Sequence, residues 1–231
     1  MATEGITVER VGTVVVAHLD DGKANALSPT MLAGIKGVVV DAEAGASAGA
    51  VVLHGRPNVL SGGFDLKIIR GDDHAARANM VADGGDIVRT CYGAGLPVIA
   101  ACTGHAVAAG ALLLLGCDLR VGAAGDFNIG LPEVNMGMSL PGWAVTIASD
   151  RLSRRHLQRA LTHGEMYGPD AAVDVGYLDE VTDAGAVLDT AVAAGERLAQ
   201  NMDRRAYAGI VASLRDDVLT RMDADVAASR S

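Results

Sequence analysis

The sequence predicts an α/β fold with mostly parallel strands, followed by a helical C-terminal region. Three observations lead there: short, nearly all-apolar runs of strand length, longer stretches between them with apolar residues at helical spacing, and almost purely helical patterning after about residue 150. Val8 to Ala17 alternates and then runs apolar, and reads as the first strand. Ser28 can cap a helix whose first residue is Pro29, and Met31, Leu32, Ile35, Val38 and Val39 then share one face. Ala50 to His54 reads as the next strand, and Ala75 to Tyr92 as a helix with Gly84 and Gly85 in its interior. Val98 to Cys102 is a third strand, Ala109 to Gly116 a buried helix, and Leu119 to Ala123 a fourth strand. Arg151 to Leu161, Pro169 to Val175, Ala186 to Ala199 and Arg205 to Arg221 then read as helices, with one short strand near Val181. No clear sequence repeat stands out, yet units of similar length suit a solenoid-like core. The expected division is an α/β core over residues 1–185 and a helical, oligomerisation region over 186–231.

Composition narrows the function. Half of the 231 residues are apolar, so a sizeable core is available, but aromatics are only 3% and leave little material for stacking on bases. Lys and Arg number 19 against 28 Asp and Glu, a net charge of −9 with no basic block, which argues against nucleic acid as a partner. The opening MATEGITVER carries acids where a secretory signal would carry basic and apolar residues, so no export signal is expected. The most apolar stretch, Leu96 to Cys117, is broken by Pro97, Thr103, Gly104 and His105, and its uninterrupted part is shorter than the roughly 20 residues of a membrane span. Cys91, Cys102 and Cys117 have no paired spacing, as expected of reduced thiols in a cytoplasmic protein.

Three segments could carry chemistry. In RPNVLSGGFDLK, Arg56 to Lys67, the Ser61-Gly62-Gly63 turn can present a backbone NH without side-chain obstruction; a plain glycine turn is the alternative. In TGHAVAAGALLLLGCDLR, Thr103 to Arg120, small residues lead from a strand into an apolar helix. They leave room for a ligand against the free NH groups of its first turn, or for close helix packing. In IGLPEVNMGMSLPG, Ile129 to Gly142, Glu133 stands among Ile129, Leu131, Val134 and Met136. It is either a carboxyl with a raised pKa, suited to acid/base work near neutral pH, or a helix-start Glu favoured by the dipole.

Other chemistries fit less well. Pro141 spoils a GxSxG elbow beginning at Gly137, and His105 reads as a structural histidine beside a glycine turn. His18, His54, His74, His156 and His163 show no metal spacing, so no metal site is expected, and neither GxGxxG nor a P-loop is present.

In this order the three segments, with KANALS after the first strand and GEMYGPDAAVDVGYLDEV after the third segment, resemble the crotonase or enoyl-CoA hydratase/isomerase family from about residue 5 to residue 190. The resemblance implies a spiral of repeated ββα units, a helical C-terminal region packing in trimers or hexamers, and an acyl-CoA or enoyl-CoA thioester as ligand, with no separate cofactor. It also implies an oxyanion hole of two backbone NH groups, which by motif position belong to Phe64 and Ala109, with Glu133 as acid/base. Lys23, Ala24, Gly63, Phe64, Asp65, Leu66, Lys67, Ala109, Gly110 and Leu112 are the substrate and CoA contacts by the same carry-over, Lys23 and Lys67 bordering the phosphates.

Several positions depart from the family pattern. The usual Gly-Gly-Gly reads Ala108-Ala109-Gly110, the first catalytic Glu of hydratases is Leu112, and Met136 to Pro141 is one residue longer than in typical hydratases. The helical region is also shorter than the family's, lacking a lysine-bearing segment after Asp225. One carboxylate can shuttle a proton between two carbons, so the expected activity is an isomerase-like transfer by Glu133. The alternatives are a slow enoyl-CoA hydratase or a noncatalytic acyl-CoA binder.

Overall fold

The computed structural model describes residues 4–230. Strands β1 (Ile6–Val11) and β2 (Val14–Leu19) form an antiparallel hairpin, with Ile6 opposite Leu19 and Val11 opposite Val14. Val8 to Ala17, expected as one strand, is therefore two. Gly12, at φ +56°, sits at the turn between them, a backbone conformation that glycine adopts without steric penalty. Helix α1 (Pro29–Ala44) starts as the sequence predicts: the Ser28 side chain accepts from the Met31 NH, and Met31, Leu32, Ile35 and Val39 are buried.

The chain then repeats one pattern. β3 (Ala50–His54) and β4 (Asn58–Ser61) precede α2 (Leu66–Ile69) and α3 (His74–Tyr92); β5 (Val98–Cys102) and β6 (Gly104–Val107) precede α4 (Ala109–Gly116). β7 (Leu119–Ala123) and β8 (Ile129–Gly130) precede a 3-10 turn, Glu133–Met136, and α5 (Gly142–Arg151). The remaining elements are α6 (Arg154–Thr162), β9 (Met166–Tyr167), α7 (Pro169–Val175), β10 (Glu180–Thr182), α8 (Val187–Asn201) and α9 (Arg204–Ser229). In each repeat the first strand joins a six-stranded sheet, β1-β2-β3-β5-β7-β10, and the second joins a four-stranded sheet, β4-β6-β8-β9. Neighbours are parallel except β1 with β2 and β8 with β9. This is the expected spiral of ββα units.

The resemblance implies a second strand in each unit, but none of the strands of the four-stranded sheet is read from the residues themselves. Its strands are two to four residues long and contain Gly, Ser, Asn and His, so no alternation can be read from them. The helix expected over Arg151 to Leu161 is also corrected. α5 ends at Arg151, Leu152 is extended, Ser153 donates its NH to Val175 O (2.8 Å), and a new helix starts at Arg154. α9 runs eight residues past the expected end at Arg221.

Two apolar layers hold the spiral. One lies within it, among α1, α3, α4, α5 and the inner strand faces. In the other, Val187, Ala191 and Ala194 of α8 cover Val14, Val16, Ala50, Val52, Ile99, Ala101 and Val121 on the outer face of the large sheet. Leu188, Val192 and Leu198 pack at its edge, so the apolar face of α8 is buried within its own chain. α9 returns across α3 and α5, held by a nearly buried Arg215–Asp118 pair (2.7 Å), by Tyr207 donating to the same aspartate (2.9 Å) and by Thr146 donating to Asp225 (2.9 Å). No described helix is long and apolar enough to cross a membrane.

Candidate active site

The KANALS segment is tied down by its own polar groups. The Asp21 carboxylate accepts the NH groups of Lys23, Asn25 and Ala26 at 2.7–2.8 Å, and the buried Asn25 side chain donates to Leu19 O (2.7 Å) and Leu60 O (3.2 Å). Ser61 at the end of β4 donates to Asn25 O (2.7 Å) and accepts from the Gly63 NH (3.1 Å); Gly62 NH reaches Ala24 O and Leu27 NH reaches Gly63 O, both at 2.8 Å. Buried polar atoms satisfied in this way hold one backbone path.

That path brings the glycine turn against the start of α4. Gly63 has φ +97°, and a Cβ on it would stand 3.0 Å from Val107 O, 3.1 Å from the Ala108 Cβ and 3.5 Å from the Ala109 nitrogen. Only glycine fits, and the Gly63–Phe64 peptide lies beside the first residue of α4. Ala108 itself takes φ +54° and ψ −124°, an unusual conformation for a residue with a Cβ. Its carbonyl accepts from the NH groups of Ala111 and Leu112. Among the described residues the NH groups of Phe64 and Ala109 have no acceptor. Gly110 packs directly on the backbone of Ser61, so the third small residue sets the approach of helix to loop.

A cavity of about 420 Å³ opens here, walled by Gly62, Phe64, Leu66, Ala108, Leu112, Glu133 and Trp143, among others. Glu133 begins the 3-10 turn after Pro132 and is 7% exposed; its Oε2 is buried without a hydrogen-bond partner. Burial pushes its pKa up to about 7. Leu112 is buried and offers no polar atom. The glycine pair inside α3 is explained by the same region: Gly84 lies under the Phe64 ring, and a Cβ on Gly85 would stand 2.8 Å from the Trp143 ring.

The predicted site residues divide into three groups. Phe64, Leu66, Leu112 and Glu133 share the cavity. Lys23, Asp65 and Lys67 line a separate groove of about 430 Å³ with Asp20 and Asp21, and the Asp65 carboxylate also caps α2 by accepting the Lys67 NH (2.9 Å). Ala24, Gly63, Ala109 and Gly110 form the backbone support; at the cavity wall it is Ala108 that shows, rather than Ala109. Asn25, Trp143, Arg70 and Arg77 were not legible as site residues. A lone loop Asn, a Trp after Pro-Gly and two Arg near a helix start carry no distinguishing spacing. His105 accepts the Asn128 NH (2.9 Å) and packs edge-on to Phe127, a structural role. The three cysteines are buried, and burial pushes the Cys102 and Cys117 thiols up to about 12.

A family model described as enoyl-CoA hydratase/isomerase matches residues 9–229. The chain belongs to the enoyl-CoA hydratase/isomerase family. Among solved structures of this crotonase family, an enoyl-CoA hydratase/isomerase family protein from Pseudomonas syringae superposes with a TM-score of 0.93 at 33% identity, covering 98% of this chain and 96% of that one. An apo enoyl-CoA isomerase from Mycobacterium tuberculosis gives 0.92 at 33% identity, covering 98% and 97%. Human mitochondrial enoyl-CoA delta isomerase 1 is 29% identical over 179 residues, 73% of this chain and 59% of that protein. The chain thus spans less than two thirds of the length of this curated relative.

Proposed function

We propose that the protein binds an enoyl-CoA thioester and moves a proton next to its carbonyl, as an isomerase with Glu133 as the single acid/base. The observation that carries this is a lone buried carboxyl, unpaired and near neutrality, in a cavity where Leu112 stands at the position of a hydratase's first catalytic Glu. In the proposed step the Glu133 carboxylate takes a proton from C2 of a 3-enoyl thioester. The electron pair released passes through the double bond system to give a dienolate, whose oxygen is held by the NH groups of Phe64 and Ala109. Glu133 then returns the proton to C4, leaving the 2-enoyl thioester and a regenerated carboxylate. The reaction is redox-neutral and uses no cofactor. The α4 dipole, with its positive end at Ala109, also favours the developing negative charge.

Hydration needs a second group to hold and orient water, and Leu112 excludes it. Two relatives that bear the name enoyl-CoA isomerase support this preference. Lys23 and Lys67, in the adjoining groove, suit the CoA phosphates. Assembly into trimers, or pairs of them, is part of the same proposal. With α8 used inside the chain, the exposed apolar residues available on the helical region are Ile210 and Leu214, one turn apart on α9.

The deciding experiment is turnover of 3-enoyl-CoA followed by the absorbance of the conjugated product, for wild type and Glu133→Gln. Wild-type conversion that the variant loses, with thioester affinity little changed, is the expected result. Full activity in the variant overturns the mechanism. Binding without turnover of either 2-enoyl or 3-enoyl thioesters would make it an acyl-CoA binder.

A further inference from the structure

Two arginines in the cavity wall have no place in the proton transfer. Arg70 ends α2, and Arg77 lies near the start of α3; between them and beside them the wall is Leu66, Ile69 and Val81. Ala108 and Leu112 come from the start of α4 and Glu133 from the 3-10 turn, so the arginines and the reacting carboxyl reach the cavity from different elements. Among the described residues neither arginine has a carboxylate partner, and Arg77 has only the His74 ring as a side-chain neighbour. Among the described residues Arg56, Arg89, Arg120, Arg159, Arg215 and Arg230 are each paired with Asp or Glu; of the arginines without such a partner, Arg70 and Arg77 are the two that line this cavity. In a chain of net charge −9, two guanidinium groups without a carboxylate partner lining one cavity, where Glu133 is the only carboxyl among the described lining residues, are a local positive field.

We propose that Arg70 and Arg77 form a subsite for a carboxylate at the far end of the acyl chain, so that the preferred thioester is a half-thioester of a dicarboxylic acid rather than a fatty acyl-CoA. The inference rests on the thioester reading given above. The physical ground is selection by unmet demand. An alkyl tail laid against the α2–α3 wall would take water from the guanidinium groups and give no partner in return, whereas a carboxylate accepts their forked donors directly. The same groups thus reward the anion and penalise the methyl-ended tail. The apolar stretch of Leu66, Ile69 and Val81 would hold the methylenes between thioester and carboxylate.

The test is calorimetric binding of two matched series of CoA thioesters, from succinyl to sebacyl half-thioesters and from butyryl to decanoyl thioesters, at pH 7.5 and low salt. The expected result is a preference for the carboxylate-ended member of about tenfold or more at one chain length, the size of a charge-assisted hydrogen bond. That preference should fall as salt is raised. Arg77→Met and, independently, the exposed Arg70→Met should bring the ratio toward one, and Arg77→Lys should keep part of it. Equal or tighter binding of the methyl-ended series at every length overturns the subsite while leaving the thioester reading intact. So does an Arg77→Met variant that weakens both series alike, which would assign the arginine to the CoA moiety. Failure of both series to bind removes the thioester reading and the subsite with it.

Discussion

Replacing Glu133 by Gln should stabilise the protein increasingly as pH rises. The folded state holds this carboxyl near 7 against 4.5 in the free group, because burial disfavours its charged form. A group whose folded pKa is raised imposes no penalty below its unfolded pKa, where both states are protonated. The penalty grows as the unfolded chain ionises alone, and is complete once pH passes the folded value. At about 1.4 kcal/mol per pH unit the penalty is about 0.8 kcal/mol at pH 5 and about 3.4 kcal/mol at pH 8.5. The difference between wild type and variant should therefore change by about 2.5 kcal/mol between these pH values. Any fixed loss from burying the unpaired amide of Gln cancels in that comparison. Urea unfolding at both pH values and one protein concentration reads it directly. With a slope on the order of 3 kcal/mol per molar, the midpoint gap should move by about 0.8 M. A gap that is the same at both pH values would show that Glu133 is not held neutral by burial.

The rate of 3-enoyl isomerisation should rise with pH to a plateau through a midpoint near 7, since the carboxylate is the active form; a midpoint at the ordinary carboxylate value would contradict the site. Leu112→Glu should raise hydration of a 2-enoyl-CoA above the wild-type level, and no gain in a correctly folded variant would mean that Leu112 is not the missing position. Ala108→Gly should relieve a strained φ worth about 1–2 kcal/mol, less about 0.4–1 kcal/mol of added unfolded-state entropy. The melting temperature should then rise by up to about 2–4 °C, and a fall would show that the Ala conformation is unstrained. Gly63→Ala should cut turnover by about 10² or more, because the Cβ against Val107 O displaces the Phe64 NH; unchanged kinetics would remove that NH from the mechanism.

What could be read in advance followed signal strength. The large sheet's strands β3, β5 and β7 are five residues long and mostly apolar, and α1, α4 and α7 are bounded by Pro29, Ala109 and Pro169 at the predicted positions. The small sheet escaped because two to four residues cannot show a period. Helix α5 was hidden for a related reason, starting at Gly142 without a capping side chain. Among site residues, Glu133 announced itself by its apolar neighbours, and Gly63 by its place after Ser61. The role of Asn25 became visible only with the Leu19 and Leu60 carbonyls beside it. Arg70 and Arg77 are seen to line the cavity only once α2 and α3 are placed beside α4.

Several departures from ordinary protein physics converge on one cavity. Gly63 and Ala108 take positive φ, the NH groups of Phe64 and Ala109 lack acceptors, Glu133 Oε2 and Trp143 Nε1 are buried without partners, and two arginines stand unpaired. The positive φ of Ala108 and the buried, partnerless Glu133 Oε2 and Trp143 Nε1 each cost free energy in the empty protein. A ligand that presents an oxyanion to the two NH groups, an acidic carbon to Glu133 and a carboxylate to the arginines would give a partner to most of these groups at once. On the proposed reading, the groups left without partners at this cavity, the NH groups, Glu133 and the two arginines, correspond to the functional groups its substrate would carry.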